Sequence, residues 1–129
     1  MLTPQLIDSF SGTQSTGGTA SYTTIKTTVL APGTYMVNAF IKHYNAPNGD
    51  PDPGELRVTI PGVSQDAFPW KVRVLEDDST YENRQEANNL FVIFRVENAS
   101  SCALEQRTPD PDAGGIGAYI YYSCWKVSD

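Results

Sequence analysis

Apolar and polar residues alternate at every second position in this sequence, in short runs that end at glycine, proline, asparagine or aspartate. A repeat of two belongs to an extended strand, whose side chains point to opposite faces in turn. A helix needs apolar residues about every 3.6 positions, and that repeat is nearly missing. Leu56, Val58 and Ile60 alternate with Glu55, Arg57 and Thr59. Phe68, Trp70, Val72 and Val74 alternate with Pro69, Lys71 and Arg73. The one segment outside the pattern, Asp78 to Asn89, is polar throughout and reads as a loop with at most one helical turn.

Seven runs read as strands: Tyr22 to Leu30, Thr34 to Tyr44, Glu55 to Ile60, Ala67 to Leu75, Leu90 to Asn98, Cys102 to Thr108 and Ile116 to Val127. Between them stand turn pairs such as Pro32-Gly33, Asn48-Gly49, Pro53-Gly54, Pro61-Gly62 and Gly114-Gly115. Pro69 assigns its strand to a sheet edge, because proline cannot donate to a ladder. Short strands with frequent turns and no helices between them argue for a sandwich or barrel, and the expectation is an all-β, antiparallel two-sheet sandwich with about eight strands. The 129 residues suit one domain. Residues 1–21 are expected to form an apolar arm (Leu2, Leu6, Ile7, Phe10) on the small, polar connector Ser11 to Ser21, with the sandwich over 22–129. The alternative is a first edge strand followed by a long loop.

Three strands are apolar on both faces. Tyr35, Val37, Ala39 and Ile41 oppose Met36, Phe40 and Tyr44; Leu90, Val92, Phe94 and Val96 oppose Phe91 and Ile93; Ile116, Ala118, Ile120 and Tyr122 oppose Tyr119, Tyr121, Trp125 and Val127. One small domain has one core, so the second faces need another cover. Tyr and Trp are enriched at protein interfaces. A homo-oligomer is therefore expected, with contacts through Leu2, Leu6, Ile7, Phe10, Met36, Phe40, Phe91, Ile93, Tyr119, Tyr121 and Trp125.

The segment Ala31-Pro32-Gly33-Thr34-Tyr35-Met36-Val37-Asn38-Ala39 resembles the proline-glycine-x-tyrosine strand entry of C1q/tumour-necrosis-factor-like jelly rolls and of similar modules in phage head and tail proteins. In such an entry the Pro-Gly pair makes the turn and the tyrosine ring enters the core. Gly117 to Tyr122 (GAYIYY) is similar to the aromatic last strand that lines trimer axes in such folds. The likeness covers about a fifth of the chain and implies a fold class with a trimeric preference. It carries over no catalytic or ligand residue.

The net charge is −6, with 9 Lys+Arg against 15 Asp+Glu, and the basic residues are scattered singly. Such a surface repels phosphates, so no nucleic-acid partner is expected. No apolar run approaches the roughly 18 residues of a membrane helix, and no membrane partner is expected. Met1 to Gln5 lacks the basic start and apolar stretch of a signal peptide. Synthesis in a host cytoplasm and release within a virion fit that expectation.

Catalysis by a nucleophile needs a base beside it. The single histidine, His43, falls late in a strand and reads as a packing or hydrogen-bonding residue. The sequence predicts no enzyme and no cofactor. The loops NAPNGDPDPGE and TPDPDAGG offer weak calcium ligands in Asp50, Asp52 and Glu55, or Asp110 and Asp112, without the ligand order of an EF-hand. Cys102 and Cys124 are too few for a disulfide scaffold. They form a candidate disulfide if the last two strands make a hairpin in suitable register; buried reduced thiols are the other reading.

A structural or assembly protein follows as the expected function: a phage or virus capsid decoration (cement) protein or a related virion component. The alternative is a carbohydrate-binding or receptor-binding module that stacks sugar rings on Trp70, Tyr81 or Trp125.

Overall fold

A computed structural model describes residues 3–15, 21–43, 54–61, 69–74, 87–107 and 117–129. They form eight strands: β1 (Gln5–Ser15), β2 (Thr23–Leu30), β3 (Gly33–His43), β4 (Gly54–Thr59), β5 (Lys71–Val74), β6 (Ala87–Val96), β7 (Ser100–Arg107) and β8 (Gly117–Ser128). One four-stranded sheet runs β1-β8-β3-β6 and the other β2-β7-β4-β5. Every pairing is antiparallel.

The order has a simple origin. β1 pairs with β8, β2 with β7, β3 with β6 and β4 with β5, as in one long hairpin bent back on itself. Rolling that hairpin adds the contacts of β3 with β8 and β4 with β7. This is the strand order of an eight-stranded jelly roll of two Greek keys; the alternation and turn spacing indicate the two-sheet sandwich but not the order.

The core lies between the sheets. Tyr35, Val37, Ala39 and Ile41 of β3, Leu90, Val92, Phe94 and Val96 of β6, and Ile120, Tyr122 and Cys124 of β8 face Leu30, Leu56, Val58, Val72, Cys102 and Leu104 of the other sheet. Each inward set is every second residue of its strand, so the period of two alone sorts core from surface. Burial of these side chains supplies the main stabilisation, at about 25 cal/mol per Å² of apolar surface.

Three expectations about boundaries change, the first at Ala87 to Asn89, which belong to β6 rather than to the polar loop because β3 pairs with them. Residues 5–15 are not an arm on a connector: they pair along β8 from Gln5↔Lys126 to Ser15↔Gly117. Polar residues suit this edge strand because the ladder binds their backbone groups whatever their side chains. A register shift between Leu6 and Asp8 marks a bulge at Ile7. Phe10 is consequently half-buried and packs against the core. The fifth strand is also shorter than Ala67 to Leu75. Pro69 lies in a turn, and only Lys71–Val74 is strand. β5 does occupy a sheet edge, as Pro69 suggested.

The turn before β3 works as its sequence implies. The Tyr35 ring is buried, and its hydroxyl donates to the carbonyl oxygen of Ala31 at 2.6 Å, tying the strand entry across Pro32-Gly33. Gly33 has φ 155°, and a Cβ there would stand 2.7 Å from Lys126 Cε and 2.8 Å from the Ser128 carbonyl oxygen. The backbone oxygen of β8 cannot swing aside as a side chain can. Gly33→Ala is therefore expected to lower stability by about 2 kcal/mol, read as a shift of the urea unfolding midpoint.

Candidate functional site

The outer face of the β1-β8-β3-β6 sheet is built in cross-strand rows. Register places Leu6, Trp125, Met36 and Ile93 in one row, then Ser9, Ser123, Asn38 and Phe91, then Ser11, Tyr121, Phe40 and Asn89. These are the second faces of the strands whose first faces make the core. Phe91 is 45% exposed, Tyr121 50% and Ile93 61%. Phe40 and Tyr121 pack ring to ring, with centroids 5.8 Å apart at a tilt of 50°. The middle row is a shallow depression of about 250 Å³, with Ser9, Ser11, Asn38 and Ser123 among Phe40 and Tyr121. None of the outward side chains in these three rows is acidic, although the chain carries a net charge of −6. Arg95 stands at the rim, where its guanidinium donates to Glu97, Thr34 and the Asp129 carbonyl.

A polar cluster crosses the core at the stacked edges of the two sheets. The Thr28 hydroxyl donates to Asp8 Oδ2 at 2.8 Å and stands 2.8 Å from the Tyr122 hydroxyl. Tyr122 Oη also contacts Cys102 Sγ at 3.2 Å, and Lys26 Nζ lies 3.3 Å from Asp8 Oδ1. Burial works to raise the Asp8 pKa, but hydrogen bonds from Thr28, Lys26 and the Ser9 amide outweigh it and hold the carboxyl below its usual range. The Tyr122 hydroxyl is pushed up by burial first and by the neighbouring Cys102 next. A hydrogen bond from Cys124 makes Cys102 the more acidic thiol; the same bond and burial raise Cys124.

A second cluster covers the outer face of the other sheet. Glu55, fully buried, accepts from Arg107 Nε and from the Tyr22 hydroxyl, each at 2.7 Å on Oε2. Arg57 Nε donates to Glu105 Oε1 at 2.8 Å. The Tyr22 ring lies under both guanidinium groups, 3.5 Å from Arg57 Cζ and 4.4 Å from Arg107 Cζ. Burial, then the bond to Glu55, raises the Tyr22 pKa. Each cation is matched by a carboxylate, which makes this cluster a clamp between β2, β4 and β7.

Of the expected contact residues, Leu6, Met36, Phe40, Phe91, Ile93, Tyr119, Tyr121 and Trp125 are brought to one outer sheet face. Ile7 sits in the bulge at 36% exposure, Phe10 turns inward, and Leu2 lies outside the described residues. Asp50, Asp52, Asp110 and Asp112 also lie outside them. Glu55 is not the exposed loop ligand the sequence suggested, because Arg107 and Tyr22 occupy its carboxylate. Among the described residues, no three His, Cys, Asp or Glu side chains stand together as a metal set. Trp70 packs against Phe94 at 5.6 Å between centroids, on the core side, so it does not join Trp125 in a sugar platform; Tyr81 lies outside the described residues. Cys102 and Cys124 are free thiols, and the hairpin on which their pairing was conditional does not form, since β7 and β8 belong to different sheets.

The clusters around Asp8 and Glu55 were missed in the sequence. A signal for the second was present: Glu55-Leu56-Arg57 and Glu105-Gln106-Arg107 share a Glu-x-Arg pattern that antiparallel pairing turns into two matched ion pairs. No protein-family model matches the chain, and no curated protein matches its sequence.

Two outcomes are expected. Arg107→Met leaves a buried carboxylate short of its cation and should cost about 3 kcal/mol in urea unfolding; adding Glu55→Gln should restore part of that loss. The Asp8 pKa is lower in the folded chain than in the unfolded one, whose value is about 3.9. Its contribution is complete above that pH and disappears as pH falls through the folded value. Unfolding midpoints measured from pH ~5 down to pH ~2 should fall more steeply for the native chain than for Asp8→Asn.

Proposed function

We propose that this chain is an assembly protein, a capsid decoration (cement) protein or related virion component, that buries the outer face of its β1-β8-β3-β6 sheet against neighbouring chains. The observation that carries the reading is the composition of that face. Aromatic and aliphatic side chains from four strands stand side by side there, and no outward row contributes an acid in a strongly acidic protein. A surface kept only for solvation would carry charge, as the outer face of the other sheet does with Arg57, Glu105 and Arg107.

The mechanism is removal of apolar surface from water, worth about 25 cal/mol per Å² before the cost of association. Ile93, Tyr121, Leu6 and Phe91 are the anchors, being the most exposed apolar groups in the rows. A carboxylate-free face also lets two copies of an acidic chain meet without bringing like charges together. The resemblance of the β3 entry and of β8 to C1q/tumour-necrosis-factor-like modules favours three copies about an axis. The partner beyond the copies is then the protein shell on which they sit. Release within a virion fits this role.

A second reading has one observation of its own. The depression beside Tyr121 and Phe40 has neutral polar walls in Ser9, Ser11, Asn38 and Ser123, a mixture that suits a saccharide. Titration with neutral glycans, read on the Tyr121 environment, separates it from assembly.

Sedimentation of the purified chain at micromolar concentration tests the main reading. The native chain is expected to run as an oligomer. The Tyr121→Glu, Ile93→Glu double variant is expected to run as a monomer with an unchanged circular dichroism spectrum, because it sets a carboxylate into each contact. A native chain that sediments as a monomer, with this face equally open to surface labelling inside its native particle, would overturn the proposal.

A further inference from the structure

Asp8 of β1 and Cys124 of β8 are cross-strand partners in one sheet, and Thr28 of β2 and Cys102 of β7 are partners in the other. Asp8 and Thr28 touch across the gap, hydroxyl to carboxylate, at 2.8 Å. When one member of each pair meets its opposite, the remaining two are brought face to face. Those two are the cysteines. Tyr122, two residues before Cys124 on the same inward face of β8, reaches Cys102 Sγ with its hydroxyl at 3.2 Å, which agrees with this placement. Both are buried, Cys102 at 1% exposure and Cys124 at 0%.

We propose that Cys102 and Cys124 are a latent inter-sheet disulfide site, closed by exchange with a small-molecule disulfide. The Cys102 thiolate attacks one sulfur of oxidised glutathione. A glutathione thiolate leaves and takes up a proton, and a mixed disulfide remains on Cys102. Cys124 then gives up its proton and attacks the Cys102 sulfur, expelling the second glutathione as a thiolate that is protonated in turn. Two protein thiols are oxidised to one disulfide, and one small disulfide is reduced to two thiols. Cys102 is suited to the first attack, since the Cys124 hydrogen bond favours its thiolate.

The bond would join β7 of one sheet to β8 of the other, which the backbone ladders leave unconnected. It would close the loop between the last two strands and stabilise the fold by restricting the unfolded chain. Because both sulfurs are buried, closure must wait for the β1 and β2 edges to open, so its rate should follow local opening rather than oxidant concentration. A chain made in a reducing compartment would keep the thiols, and one that passes to an oxidising medium would acquire the staple.

The test incubates the native chain with oxidised glutathione at mildly alkaline pH and follows intact mass. The expected product is lighter by two hydrogen atoms, has no thiol reactive to maleimide after denaturation, and yields one cross-linked peptide joining Cys102 to Cys124. Its melting temperature should rise by about 5 °C or more. Cys124→Ala should instead accumulate the glutathione adduct on Cys102. If that variant does not fold, the mass and peptide map of the native chain decide alone. Three results would overturn the proposal: a persistent glutathione adduct on the native chain, disulfides between chains, or two thiols still free after the neighbouring β1 and β8 amides have exchanged with solvent.

Discussion

A strand cannot choose its two faces independently, and this constraint governs the molecule. Once Tyr35, Val37, Ala39 and Ile41 point into the core, Met36, Asn38 and Phe40 must point out. The same holds for β6 and β8, so three adjacent strands bring their second apolar sets to one surface. Slipping the register by one residue would not relieve the problem, because it would exchange one apolar set for another. The outer face is therefore a property of the composition of these strands, and their adjacency makes it continuous.

The opposite surface solves the same problem with charge. Glu-x-Arg occurs in β4 and again in β7, and antiparallel pairing sets Glu55 against Arg107 and Arg57 against Glu105. Parallel pairing in register would have set like charges together. Tyr22 closes over both guanidinium groups and leaves Glu55 fully buried, a cost repaid by two 2.7 Å hydrogen bonds. The molecule thus has one face crossed by matched ion pairs and one face of uncharged, partly aromatic rows. That asymmetry supports a role in assembly more directly than any single residue does.

Between the sheets, the cluster of Asp8, Thr28, Tyr122 and the two cysteines shows how a core can carry polar groups without losing order. Tyr122 reaches from β8 to Thr28 and Cys102 of the other sheet, and Asp8 receives the Thr28 hydroxyl from across the same gap. Satisfied groups of this kind hold two sheets in one relative position, where a purely apolar contact would allow sliding.

Much of this was legible in the chain itself. Period-two alternation and turn pairs located seven of the eight strands, their inward residues and the two-faced character of β3, β6 and β8, since local geometry maps position in sequence onto side of sheet. Sequence could not say that Ser11 to Ser15 continue β1, since a polar stretch becomes a strand only when a partner such as β8 accepts its backbone. Nor could it say that Phe10 turns inward, which depends on the bulge at Ile7, or that Glu55 is buried, which depends on Tyr22 and Arg107 arriving from distant strands. The placement of Cys102 and Cys124 in opposite sheets came from the rolling of the hairpin, a choice made by pairings far apart in the chain. Faces were written locally; neighbours were decided by the fold, because which strands meet is a property of the whole chain.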